Sequence, residues 1–210
     1  MTVVLATVCE DGVVIGSDSQ ITDKGRGMTY PAEKLHPLGE TAAWGGSGAR
    51  SVLTDVKRCF NEKSAAILEA PDIGRALQAQ VLPILRYHYE TFIEDVPGEE
   101  DGGTPSAYVM AAGWRDGEPW IIEITPSGMI GHYADIGFHA IGSGAAMASR
   151  PVPSCRTSVW RNARCVSAAP RCCGSCKRST SPPPASASRS ACAGSTRKAL
   201  TTSVTRKSRT

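Results

Sequence analysis

The chain has 210 residues, 41% of them apolar and 20% charged, with a formal net charge of +3. That is enough for one ordinary hydrophobic core. The charge is split unevenly: residues 151–210 carry twelve of the 23 Lys and Arg and no Asp or Glu, which leaves residues 1–150 strongly acidic. No run approaches the roughly 18 apolar residues of a membrane helix. No basic leader is visible before Glu10 and Asp11, so a reduced, cytoplasmic setting is expected rather than a secreted disulfide scaffold.

In chain order, Val3 to Val8 and Val13 to Ser17 are rich in β-branched residues, and the Asp11-Gly12 pair between them signals a hairpin. Short β-like segments follow at Lys34 to Leu38 and Thr41 to Trp44, leading into Gly45-Gly46-Ser47-Gly48. Val52, Val56 and Phe60 then recur at helical spacing, as do Ile73, Leu77, Val81, Ile84, Leu85 and His88, with Pro83 a kink in the second helix. The acidic stretch Glu94 to Gly103 reads as a loop. Ser106 to Trp114, Pro119 to Thr125 and Met129 to Tyr133 read as strands, the first two joined through Asp116-Gly117. Strands, two helices and strands again predict an α+β fold rather than a doubly wound parallel sheet. Cys59 is expected in the core of the first helix. The four histidines show no metal-ligand spacing.

The chain divides into residues 1–149, a folded domain, and 150–210, a basic low-complexity tail of Ser, Arg, Pro, Ala, Thr and Cys that is expected to be disordered. Three readings of the tail compete. Cys172, Cys173 and Cys176 are potential thiolate ligands, but no second Cys pair or His lies at ligand spacing. The positive charge suits non-specific binding to nucleic acid. The favoured reading is an out-of-frame translation of a GC-rich gene, because helical periodicity stops abruptly near residue 150.

Chemistry concentrates at the start. Met1 before a small residue is routinely excised, which would give Thr2 a free α-amine. Such an amine titrates near pH 7.7 to 8.0 and can take the proton of the hydroxyl in the same residue. A neighbouring Lys ammonium would lower that pKa by like-charge repulsion, and a carboxylate would hold the Lys. One Asp and one Lys are therefore expected beside Thr2.

The segment Thr2-Val3-Val4-Leu5 through Asp11-Gly12-Val13-Val14-Ile15-Gly16-Ser17-Asp18-Ser19-Gln20-Ile21-Thr22 resembles the opening of proteasome β subunits and of the bacterial HslV peptidase. In that family an Asp and a Lys follow the nucleophilic Thr at the spacings occupied here by Asp18 and Lys34. Gln20 is closer to the HslV pattern, and Ala140-Ile141-Gly142-Ser143-Gly144 is similar to the HslV segment that brings a Ser to the nucleophile. Gly45-Gly46-Ser47-Gly48 is similar to the turn whose backbone N–H holds the oxyanion, with Gly45 and Gly46 both candidates.

The resemblance covers about residues 2–148. It implies a four-layer αββα sandwich of the N-terminal nucleophile hydrolase type, a threonine endopeptidase with catalytic Thr2, Asp18, Lys34 and Ser143, and no metal or cofactor. It implies peptide or unfolded-protein substrates, a homo-oligomeric ring and an ATPase unfoldase as partner. The alternatives are an inactive ring-forming homologue or another amidohydrolase of the same fold. Nothing in residues 151–210 matches the closing helices of the family. A sandwich without its outer helical layer is expected to expose an apolar face, leaving this form poorly soluble and inactive.

Overall fold

The computed structural model describes residues 2–23, 27–94, 104–148 and 200–205. Met1, most of the acidic loop, the three tail cysteines discussed above and the rest of the tail lie outside the described residues.

The first hairpin pairs β1 (Val4–Cys9) with β2 (Gly12–Ser17). Cys9 lies opposite Gly12, so the loop is Glu10-Asp11, one residue earlier than the Asp-Gly pair that signals it. A second hairpin, β3 (Gln20–Asp23) with β4 (Met28–Pro31), stands as a separate two-stranded ribbon. Its half-polar sequence gives no clean alternation, so it escapes periodicity analysis. Next come β5 (Leu35–Leu38) and β6 (Ala42–Gly48), the latter running through the glycines instead of stopping at Trp44.

Two helices follow. In α1 (Arg50–Glu69), Val52, Val56, Phe60 and Ile67 are buried along one face. In α2 (Ile73–Glu90), Ile73, Leu77, Val81 and Leu85 do the same, and the Asp72 side chain accepts from the Arg75 N–H at 2.9 Å to cap the start. The helix continues through Pro83. Cys59 is only partly buried and lies 3.8 Å from Gln80, off the core face expected for it, and burial pushes its thiol pKa up.

The remaining elements are β7 (Ala107–Arg115), β8 (Glu118–Ile124), β9 (Ile130–His132), β10 (Phe138–Ile141), a single turn α3 (Ala145–Ala148) and β11 (Leu200–Thr205). Asp116 and Gly117 both sit at positive φ, 53° and 87°, between the paired Arg115 and Glu118. That is the primed turn the Asp-Gly pair favours.

Two antiparallel sheets result, ordered β10-β1-β2-β11 and β5-β6-β7-β8-β9. Side chains alternate between faces along each strand. From the five-stranded sheet, Trp44, Val109, Ala111, Ile122 and Ile124 pack against α1 and α2, with the Trp44 and Phe60 rings edge to face at 5.1 Å. From its other face, Ala43, Met110, Ala112 and Ile121 meet Val4, Ala6, Val8, Val13 and Ile15 of the four-stranded sheet. Burial on both faces explains why β7 reads as an unbroken apolar run. The fold is thus α+β, with a helical layer and two sheet layers among the described residues.

Two expectations fare differently here. Thr7, Cys9 and Val14 point away from the inter-sheet core yet are at most 3% exposed, so the bare apolar face expected on the outer sheet does not appear at these positions, and with it goes the reason to expect an inactive form. The tail supplies β11, which pairs along the whole of β2, from Leu200 opposite Ser17 to Thr205 opposite Gly12. Its Thr- and Val-containing sequence fits an edge strand even though its surroundings predict none.

One polar group is built into the apolar inter-sheet layer. Glu123 of β8 is 7% exposed and accepts from Tyr133 Oη and pairs with His139 Nε2, each at 2.9 Å, while the Tyr133 and His139 rings stack at 3.5 Å. The hydrogen bond from His139, helped by that from Tyr133, holds the Glu123 carboxyl below its ordinary range despite burial. A carboxyl with a depressed folded pKa stabilises the fold above its unfolded value, about 4.3, and ceases to do so as pH falls through the folded value. Thermal melts from pH 6 down to pH 3 are therefore expected to show a steeper loss of Tm in the wild type than in Glu123→Gln; parallel curves would refute this.

Candidate active site

The two sheets end together at one edge of the molecule. The β1–β2 register places Val4 opposite Ser17, so Thr2 and Asp18 extend past the hairpin's open end side by side. Asp18 N–H donates to the Val3 carbonyl at 3.2 Å. Lys34 immediately precedes β5, and the segment after β10 brings in Ser143. Four stretches far apart in sequence therefore converge.

Lys34 Nζ donates to Thr2 Oγ1 at 2.9 Å and to both Asp18 carboxylate oxygens, at 3.1 and 3.0 Å. The Lys34 and Asp18 side chains are each only 8% exposed. Asp18 also accepts from the N–H groups of Val3 at 2.8 Å and Gln20 at 3.3 Å, so its negative charge is fully engaged. Thr2 N donates to Ser143 Oγ at 3.0 Å. With Met1 attached this nitrogen is an amide; after Met1 removal the same atom is the α-amine. Thr2, Asp18, Lys34 and Ser143 are thus in one hydrogen-bonded group.

The glycines separate by backbone direction. Trp114 N–H donates to the Thr41 carbonyl and Ala49 N–H to the Ser106 carbonyl, so the odd-numbered residues from 41 to 49 hydrogen-bond toward β7. Pro37, which has no N–H, lies opposite Ala43, consistent with the even-numbered residues turning toward β5. The Gly45 N–H therefore faces Met110 of β7, and a Cβ there would meet Val4 and Leu35. Gly46 faces the other way, past the first residue of β5 toward Lys34. Gly48, not singled out by the sequence, shares that direction.

The sequence does not single out Gly142 and Gly144 in their own right. Gly144 N–H donates to the Thr2 carbonyl at 2.9 Å. Gly142 has φ 96°, and a Cβ on it would lie 2.4 Å from the Thr2 carbonyl oxygen. The signal for both is that glycine flanks Ser143 on each side. Gly142→Ala is expected to cost about 1–3 kcal/mol and to displace Thr2; urea denaturation and Thr2-dependent activity, measured together, check it.

A cleft of about 600 Å³ opens beside this group, lined by Thr2, Lys34, Gly46, Ser47, Gly48 and Ser143 on one side. The lining also includes Ile21, Thr22, Ala32, Glu33 and His36, and from α1 Arg50, Leu53, Thr54 and Lys57. Burial, then the Lys57 charge, holds the His36 imidazole below its usual range, with Glu33 opposing. The cleft is large enough for a substrate side chain and its adjoining backbone. Among the described residues no helix is long and apolar enough to cross a membrane, and no cluster of three His, Cys, Asp or Glu forms a metal site.

No family model and no curated protein matches the sequence. Among solved structures, eukaryotic HslV from Trypanosoma brucei is similar, with a TM-score of 0.48 and 18% identity, over 70% of this chain and 74% of that one.

Proposed function

We propose that this chain is a threonine-type amide hydrolase acting on peptide bonds, with Thr2 as nucleophile once Met1 is removed. The observation that supports it most is the single ammonium, Lys34 Nζ, hydrogen-bonded to both Thr2 Oγ1 and the buried Asp18 carboxylate, with Ser143 Oγ on the Thr2 nitrogen.

In this reading the Thr2 Oγ–C bond forms as the α-amine takes the hydroxyl proton. The Lys34 charge stabilises the oxygen as it loses that proton and disfavours protonation of the amine. Asp18 fixes Lys34. The tetrahedral oxyanion is held by a backbone N–H of the Gly45-Gly46-Ser47-Gly48 turn, of which Gly46, Ser47 and Gly48 line the cleft. The amine then passes its proton to the leaving nitrogen as the C–N bond breaks. Water, deprotonated by the same amine, hydrolyses the ester and frees Thr2 Oγ. Ser143 holds the amine in line. Peptides or unfolded proteins are the substrates, and ring assembly with an ATPase partner belongs to the same reading.

Mass spectrometry of the N-terminus together with a fluorogenic peptide assay tests it. Expected are a mature Thr2 terminus and hydrolysis abolished by Thr2→Ala. Retained Met1 with undiminished hydrolysis would sink it.

A further inference from the structure

One wall of the cleft is a single face of α1. Arg50, Leu53, Thr54 and Lys57 all line it, and their spacing of three, four and seven residues stacks them along one helix stripe about 10 Å long. Arg50 and Lys57, at the two ends of the stripe, form no ion pair among the described residues, although other charges on the helix do, as Arg58 with Asp55. Lys57 lies close enough to His36 across the cleft to act on its charge.

Two further features favour negative charge here. The start of α1 carries no side-chain cap and no acidic residue in its first turn, so the positive end of the helix dipole is uncompensated. The one carboxylate among the residues that line the cleft is Glu33, which is exposed.

Resting on the peptidase reading above, we propose that this stripe selects substrates with an acidic side chain at the residue whose carbonyl Thr2 attacks, Arg50 and Lys57 pairing with that carboxylate. The Leu53 and Thr54 side chains between them suit the apolar stem of a glutamate better than the shorter aspartate.

The test compares four-residue fluorogenic peptides that differ only in carrying Glu, Leu or Lys before the scissile bond. It uses the full chain and its Lys57→Glu, Arg50→Glu and Lys63→Glu variants, the last a charge control on a different face of α1. The expected result is a kcat/KM for the Glu peptide about fivefold above Leu and further above Lys. That order inverts in Lys57→Glu and weakens in Arg50→Glu, but is unchanged in Lys63→Glu. A second arm measures equilibrium binding of the same peptides to Thr2→Ala by fluorescence anisotropy, where the same order is expected without turnover.

Cleavage with Leu or Lys preferred would overturn the selectivity and leave the peptidase reading standing. Ordered binding without cleavage by the wild type would overturn the peptidase reading and leave the acidic site standing. Neither cleavage nor binding would overturn both.

Discussion

Thr2→Ala, purified with its N-terminus processed, is expected to lose peptide hydrolysis by at least about a thousandfold while melting near the wild-type temperature. The substitution removes the oxygen on which Lys34 Nζ rests at 2.9 Å, but leaves the Lys34–Asp18 pair intact. Thr2→Ser keeps both the hydroxyl and the amine and is expected to retain measurable turnover. A chain extended by one residue before Thr2 keeps the hydroxyl but turns the amine into an amide, and is expected to be as inactive as Thr2→Ala. Equal activity in the extended and mature forms would mean that the base lies elsewhere.

Asp18→Ala carries the largest expected stability cost. The Asp18 carboxylate accepts four hydrogen bonds and the ammonium beside it is nearly sealed from water. Removing one partner of such a pair leaves the other charge buried, at a cost of about 3–5 kcal/mol. In a domain of this size that is a drop in Tm of roughly 10 °C. Because the penalty belongs to the stranded charge, adding Lys34→Met should recover much of the Tm and none of the activity. Failure of the double variant to recover would place the cost in the lost caps on Val3 and Gln20 instead. Activity separates the two roles of the pair: charge balance is replaceable by apolar packing, but an ammonium on the Thr2 oxygen is not.

Much of this architecture can be read from the residues because local and global signals agree. The apolar stripes at Val52, Val56 and Phe60 and at Ile73, Leu77, Val81 and Leu85 are the faces that meet the sheet. The Asp116-Gly117 pair turns where such a pair turns best. What escapes has an equally physical cause. The β3–β4 ribbon is mostly exposed along β4, so no buried face disciplines its sequence. The β10 strand is only four residues long. The group around Thr2 is predictable in membership, since its chemistry demands a Lys and a carboxylate, but choosing among the glycines is not. That choice depends on which way alternate N–H groups face, and a run of glycines carries no side-chain pattern that shows it. The edge strand Leu200–Thr205 is hidden for the opposite reason: its neighbours in sequence are low-complexity, and its partner β2 is nearly two hundred residues away.

The buried Glu123–His139 contact has a further consequence for how the enzyme reading is measured. His139 sits on β10, and that same strand ends at Ile141, two residues before Ser143. A loosening of the contact in acid is thus delivered along a short stiff lever to the hydroxyl that holds the Thr2 nitrogen. The acid limb of a rate profile then has two origins, protonation of the nucleophile's own amine near neutrality and misplacement of Ser143 at lower pH. Recording the profile in Glu123→Gln moves only the second, so the curve that remains belongs to the amine.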